Sequence, residues 1–242
     1  MVRRAHMVSA GYIRAWADEK DTVDVIDLQH DRGFPSAVSN ATVVSYAYDP
    51  EVMQHDLEND YARIEDRGIP VIEKLRNGET TVTPAEMGAM IGFLDMHLDR
   101  GRYADQTKIR TPAAVLMTGG QVEHRELNLG DRLLLSRSLP DVIRLADLRL
   151  EEWEWRVNDV RPFRLATGDG AVMLWASASG ADICTVSFPL SPTQLLVIGK
   201  DLPPDIPLNV LLAEKCRRWL VGERGVLNLN FKAQRSRTER QL

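Results

Sequence analysis

The sequence predicts an α+β fold, with an N-terminal strand pair and antiparallel helices packed with a small mixed or antiparallel C-terminal sheet. Three patterns carry that expectation. Thr22 to Leu28 alternates with period two, and Thr42 to Tyr48 is rich in β-branched and aromatic residues, the marks of half-buried strands. Two apolar stripes of helical period follow between residues 57 and 101. From Trp153 onward, short strand-like runs alternate with Gly, Pro and Asp clusters.

Taken in order, Asp31 to Pro35 supplies turn chemistry between the first two runs, so 22–28 and 42–48 are expected to pair as antiparallel strands. Asp49 then reads as an N-cap with Pro50 at the first helical position. Leu57, Tyr61, Ile64, Gly68, Val71 and Leu75 form its core-facing stripe, with Pro70 expected to kink or break the helix near Gly68 and Asn77-Gly78 to end it. Thr83-Pro84-Ala85-Glu86 is a capping box. Met87, Met90, Ile91, Leu94, Leu98 and Gly101 form the apolar face that follows it, and the short connection makes these two helices antiparallel neighbours.

Residues 104 to 138 give no clear pattern, and Asp141 to Leu150 is amphipathic after Pro140. Strands are expected at 153–157, 163–166, 171–175 and 194–198, then a helix from Leu208 to Val221 stopped by Gly222. The chain shows no internal repeat and no linker. It reads as one α+β domain over 1–230 with a basic, flexible tail at 231–242.

Composition narrows the classes. Of 242 residues, 44% are hydrophobic and 27% charged, ordinary globular usage. A net charge of -5 argues against a surface that binds polyanions as a whole. With only Cys184 and Cys216 and no signal-like opening segment, a disulfide framework and secretion are not expected, and the cytoplasm is the expected compartment. No apolar run approaches the roughly 20 residues that span a bilayer, so no membrane partner is expected. No phosphate-binding glycine loop, dinucleotide fingerprint or Cys/His zinc spacing is present. Ser191, between Pro189 and Pro192, lacks the Gly-x-Ser-x-Gly elbow of a serine hydrolase.

The polar residues are more suggestive. Glu58 and Glu65 project within about 20° of each other on a helix, inside a run of seven acidic residues from Asp49 to Asp66 broken by Arg63 alone. Such a run suits a hard divalent cation, and it equally suits a solvated helix face. Glu65 has Tyr61, Gly68 and Ile72 on its own side, so its half-buried carboxylate needs a partner. Arg14 and Arg100 are the candidates. His97, near Phe93 and Arg100, reads as a general base or ligand, or as a packed core histidine. His6 lies among Arg3, Arg4, Tyr12 and Arg14, a donor-rich segment suited either to an anion or to a salt-bridged plug. The loop Thr167-Gly168-Asp169-Gly170 offers either a ligand-approach loop with a reactive Asp169 or a hairpin turn.

Taken together, His6 to Trp16, Glu58 and Glu65, Arg100, Phe163 to Val172, Pro189 to Pro192 and the stretch from Asn209 resemble a bacterial family catalogued as domain of unknown function 4238. Its pattern is His-x-Val-Pro-x-x-Tyr-Leu-Arg-x-Phe, two glutamates on a long helix, an Arg ending the next helix, Phe-Ile-x-Ser-Asp-x-Pro-Val, Pro-Leu-Ser-Pro and a final Asn-led helix. Ser9, Trp16, Gly168 and Ala171 depart from that pattern. The resemblance favours His6, Tyr12, Arg14, Glu65, Arg100 and Asp169 as site residues, and it assigns no reaction.

These residues lead to an expected hydrolase of a phosphate-bearing substrate, a small molecule or nucleic acid. In that scheme His6, Glu65 and Asp169 are catalytic, Glu58, Glu65 and Asp169 hold Mg²⁺ or Mn²⁺, and Tyr12, Arg14, His97 and Arg100 bind the substrate. The alternative is a noncatalytic binding or accessory module whose polar cluster is a structural ion network.

Overall fold

A computed structural model describes residues 4–45, 47–53, 55–79, 81–178 and 180–230. The chain opens with β1 (Ala5–His6) and a single helical turn, α1 (Ala10–Ile13). Strands β2 (Thr22–Asp27), β3 (Arg32–Ala37) and the short β4 (Val43–Val44) precede two long helices, α2 (Leu57–Arg76) and α3 (Pro84–Arg102). A hairpin of β5 (Thr111–Leu116) and β6 (Val122–Leu127) leads into α4 (Leu129–Ser136). Then come β7 (Trp155–Asp159), β8 (Thr167–Gly168), β9 (Met173–Ala176), β10 (Ile183–Ser191), β11 (Gln194–Gly199), α5 (Leu208–Lys215) and β12 (Trp219–Gly222).

The class is α+β, and every pairing is antiparallel: β1-β4, β5-β6, β3-β2-β12-β8 and β7-β11-β10-β9. Local chemistry sets the long helices. The Asp56 carboxylate accepts from the Asn59 N–H at 3.0 Å, which caps α2. Thr83 and Glu86 exchange bonds through side chain and backbone, so α3 begins where the capping box predicts. The helices approach closely at Gly68, where a β-carbon would fall 2.6 Å from Cβ of Phe93. Near the end of α2, Arg76 donates from Nε to the Leu190 carbonyl at 2.5 Å and from Nη2 to the Tyr12 carbonyl at 2.8 Å. Those bonds tie α1, α2 and β10 together beside a shared aromatic core, where Tyr12 stacks on Phe188 at 4.7 Å and meets Phe93 edge-on at 6.0 Å.

Several sequence expectations are corrected. The strand at 22–27 pairs with 32–37, not with 42–48, of which Val43–Val44 is the only strand among the described residues. The turn falls earlier than expected, with Asp31 at a φ of 48°, a conformation that Asp tolerates better than most residues. Pro35 is accommodated because β3 is an edge strand. The first long helix starts at Leu57 rather than Pro50, because Asp56 makes the cap. The backbone of Glu51, Val52 and Met53 is instead drawn around the buried Asp131 carboxylate. That helix continues through Pro70 to Arg76 without a break.

In the second half, the amphipathic stretch from Asp141 carries single helical turns at Leu145–Leu148 and Leu150–Glu152, parted at Arg149 with φ 53°. Residues 163–166 are not strand, and β8 and β9 lie in different sheets, so Asp169-Gly170 is not a hairpin turn. The last helix ends at Lys215, and Trp219–Gly222 is a strand between β2 and β8. The expected tail, 231–242, lies outside the described residues.

Candidate functional site

The candidate residues separate into a closed group, an open group and one outlier. Asp169 anchors the closed group. It is 3% exposed, and its Oδ1 accepts from the Arg217 N–H at 2.7 Å while Oδ2 accepts from Arg218 and Trp219, both at 2.8 Å. Those bonds turn the chain from α5 into β12 and explain why the helix cannot continue. Burial pushes the Asp169 carboxyl up to about 6, overriding the three N–H donors that favour its charge.

His97 belongs to the same group. Fully enclosed, it donates from Nε2 to the Gly168 carbonyl at 2.9 Å, and burial lowers it to about 4. Tyr12 is buried as well. Its hydroxyl donates to the Pro189 carbonyl at 2.7 Å and accepts from the Thr167 hydroxyl at 2.6 Å. Desolvation raises its pKa. These three residues join α1, α3, β8 and β10, and the Asp169 carboxylate, the Tyr12 hydroxyl and His97 Nε2 are each hydrogen-bonded inside the protein.

The open group gathers around Arg100 near the end of α3. The Arg100 side chain is 4% exposed and donates from Nη1 to Glu65 Oε1 at 2.5 Å, whereas the Glu65 side chain is 28% exposed. Two rings hold the guanidinium, Tyr61 at 4.4 Å and Tyr48 at 4.9 Å, an arrangement that stabilises a desolvated cation. The Tyr48 hydroxyl donates to the His6 carbonyl at 2.8 Å, which brings β1 alongside. His6 is half-buried and donates from Nδ1 to the Ala41 carbonyl at 2.9 Å. Burial lowers its pKa, with the bond to Ala41 and then Glu65 acting in opposition and Arg100 and Arg4 adding to the effect. Glu58, one face and two turns before Glu65, is raised by burial, with Arg100 opposing.

His6, Glu58, Glu65 and Arg100 therefore come together. Arg14 does not: it is 65% exposed and meets Asp21 at 3.4 Å on another surface. Asp169 sits with His97 and Tyr12 instead of with the glutamates. Among the described residues no group of three or more His, Cys, Asp or Glu side chains is placed to hold a metal ion. Glu58, Glu65 and Asp169 are thus not assembled as one set of ligands.

Sequence reasoning missed the two tyrosines around Arg100. Tyr61 reads as core from its spacing, and nothing local to Tyr48 links it to an arginine far along the chain. It also missed Asp131, fully buried with N–H donors from Glu51, Val52 and Met53. The signal was present, because Asn128 and Asp131 form a second capping box.

Fold and site together define an α+β protein in which one buried arginine, bracketed by tyrosines, organises a half-exposed carboxylate and histidine cluster. The chain belongs to the family described as Protein of unknown function (DUF4238), whose model matches residues 4–127. The match takes in His6, Tyr12, Arg14, Glu58, Glu65, His97 and Arg100, while Asp169 and the two later motifs lie beyond it. No curated protein and no solved structure matches the chain. No helix among the described residues is long and apolar enough to cross a membrane.

Proposed function

We propose that this chain is a hydrolase of a phosphate-bearing substrate, working at the His6, Glu58 and Glu65 face. The observation that carries the reading is the bond from His6 Nδ1 to the Ala41 carbonyl. A neutral ring that donates through Nδ1 leaves Nε2 as a base, and burial favours the neutral form. Glu58, whose pKa burial raises while Arg100 opposes, is the acid proposed to supply a proton to a leaving group. Arg100 acts as a positioning residue, since its enclosed guanidinium fixes Glu65 and does not reach solvent. Arg4, exposed and donating to Asn40 Oδ1 at 2.6 Å, is the cation available to a phosphate beside His6.

The test is turnover of p-nitrophenyl phosphate, bis(p-nitrophenyl) phosphate and labelled oligonucleotides by the full chain. The wild type is expected to hydrolyse at least one, and His6→Gln to lose roughly 10²- to 10⁴-fold with its melting midpoint retained. Absence of turnover on all of them, or equal turnover by His6→Gln, overturns the reading.

A second reading is favoured by Arg100 itself, whose burial between two rings suits a noncatalytic module held by an ion network. On that reading none of these phosphate esters is turned over, and Glu65→Gln acts on the melting midpoint alone.

A further inference from the structure

Beside Tyr61, whose ring also packs against Arg100, runs a cleft of about 490 Å³ between α2, α3 and the segment after α4. Its volume falls in the range of small-molecule sites. Arg63, Arg67, Arg137 and Arg144 line it, against Asp60, Asp95 and Asp99.

The acids are already engaged. Asp60 receives His55 at 2.7 Å and Arg137 at 3.0 Å. Both Asp95 oxygens accept backbone N–H groups, from Leu145 at 2.7 Å and Ala146 at 3.2 Å. Asp99 receives Arg144 through both oxygens at 2.7 Å and Arg102 at 2.7 Å. These bonds fix the Arg137 and Arg144 heads in the wall.

The cations are not all used. Arg63 and Arg67 stand one turn apart on the exposed face of α2, with no ion pair or hydrogen bond to any described residue. The Tyr61 hydroxyl is buried and makes no hydrogen bond of full geometry, although the Arg137 guanidinium, 5.3 Å from the ring centroid, approaches it. A buried hydroxyl so weakly partnered is a penalty in the native state. A ligand with oxygen acceptors relieves it.

We infer that this cleft binds a phosphate-bearing small molecule, its oxyanion taken by Arg63 and Arg67 and its inner edge reaching toward the Tyr61 hydroxyl. Arginine forks match the geometry of phosphate oxygens and carry their charge at every ordinary pH. Four guanidinium groups against three occupied carboxylates leave the cleft cationic on a chain whose formal charge is -5, so the attraction is local. Tyr61 also covers Arg100 at 4.4 Å, which places an occupant of the cleft one ring away from the Glu65 ion pair. The inference does not depend on the hydrolase reading.

The full chain is titrated with inorganic phosphate, sulfate and citrate by calorimetry and by thermal melting. Phosphate is expected to bind and to raise the melting midpoint by about 5 °C near saturation. The Arg63→Ala/Arg67→Ala variant, altered only at exposed positions, is expected to weaken phosphate binding by at least about tenfold while melting as the wild type does without ligand. Tyr61→Phe is expected to weaken binding as well. Unchanged binding by the double arginine variant, tighter binding of citrate than of phosphate, or no heat and no melting shift with any of the three overturns the inference.

Discussion

His97 on α3 hands its Nε2 proton to the carbonyl of Gly168 on β8, 2.9 Å away, and so spans two elements distant in sequence. Because burial lowers this ring from 6.5 to about 4, the native state favours the neutral form. The stability it contributes is complete above pH 6.5 and is lost as pH falls through about 4, a span worth about 3 kcal/mol. His97→Gln keeps an N–H donor and cannot charge. Denaturant midpoints between pH 7 and 4.5 should therefore fall less steeply in the variant, and equal slopes would contradict the assignment.

Asp169 titrates in the opposite sense. Its carboxyl is raised from 3.8 to about 6 by burial, so its contribution is complete below pH 3.8 and is lost as pH rises through about 6. Asp169→Asn supplies one acceptor oxygen to three N–H groups. At pH 7 it should cost about 1–3 kcal/mol, read by urea unfolding, and its loss relative to wild type should grow as pH falls toward 4.

Arg100 and Glu65 are expected to couple. Glu65→Gln leaves an enclosed guanidinium without its carboxylate, at a cost on the order of 3 kcal/mol. Adding Arg100→Met removes the stranded charge while filling the space between Tyr48 and Tyr61. The double variant should recover much of the lost melting midpoint; a simple sum of the two single losses would show that the pair does not act together.

Two glycines of α3 should respond with opposite signs to the same substitution. A β-carbon on Gly101 would lie 2.1 Å from the Asp169 carbonyl oxygen, whereas one on Gly88 meets nothing within 4 Å. Gly101→Ala is expected to destabilise by more than about 2 kcal/mol, and Gly88→Ala to stabilise by up to about 1 kcal/mol. Paired denaturation curves decide it.

Arg14→Ala should shift stability by no more than about 0.5 kcal/mol, since exposed ion pairs contribute little. A larger drop would give Arg14 a role that its place on the surface does not suggest.

How far the sequence was readable follows the range of the forces involved. The start of α3 was legible because Thr83 and Glu86 satisfy each other within one turn. The partnership of Glu65 with Arg100 was legible as a need, since a half-buried carboxylate demands a cation, and Arg100 was one of two named candidates. The other, Arg14, follows the buried pair Tyr12 and Ile13 and points away from them. Trp219–Gly222 was illegible as strand because its apolar residues also suit a helix, and only the distant Asp169 carboxylate and the partner β2 decide between the two. β10 was missed although Val186, Phe188 and Leu190 alternate with Thr185, Ser187, Pro189 and Ser191, because Pro189 inside the run argues against a central strand.

The pairing of β2 with β12 sets Asp24 opposite Gly222 and Asp27 opposite Trp219, while the family match ends at residue 127. During synthesis, β2 leaves the ribosome with β3 as its only neighbour and waits almost the length of the chain for its second edge to be filled. A polypeptide cut at the family boundary would keep that edge bare, along with Val23 and Val25, which the intact protein encloses fully. Expressed alone, such a fragment is expected to aggregate, because the strand that covers the second edge of β2 lies beyond the matched residues.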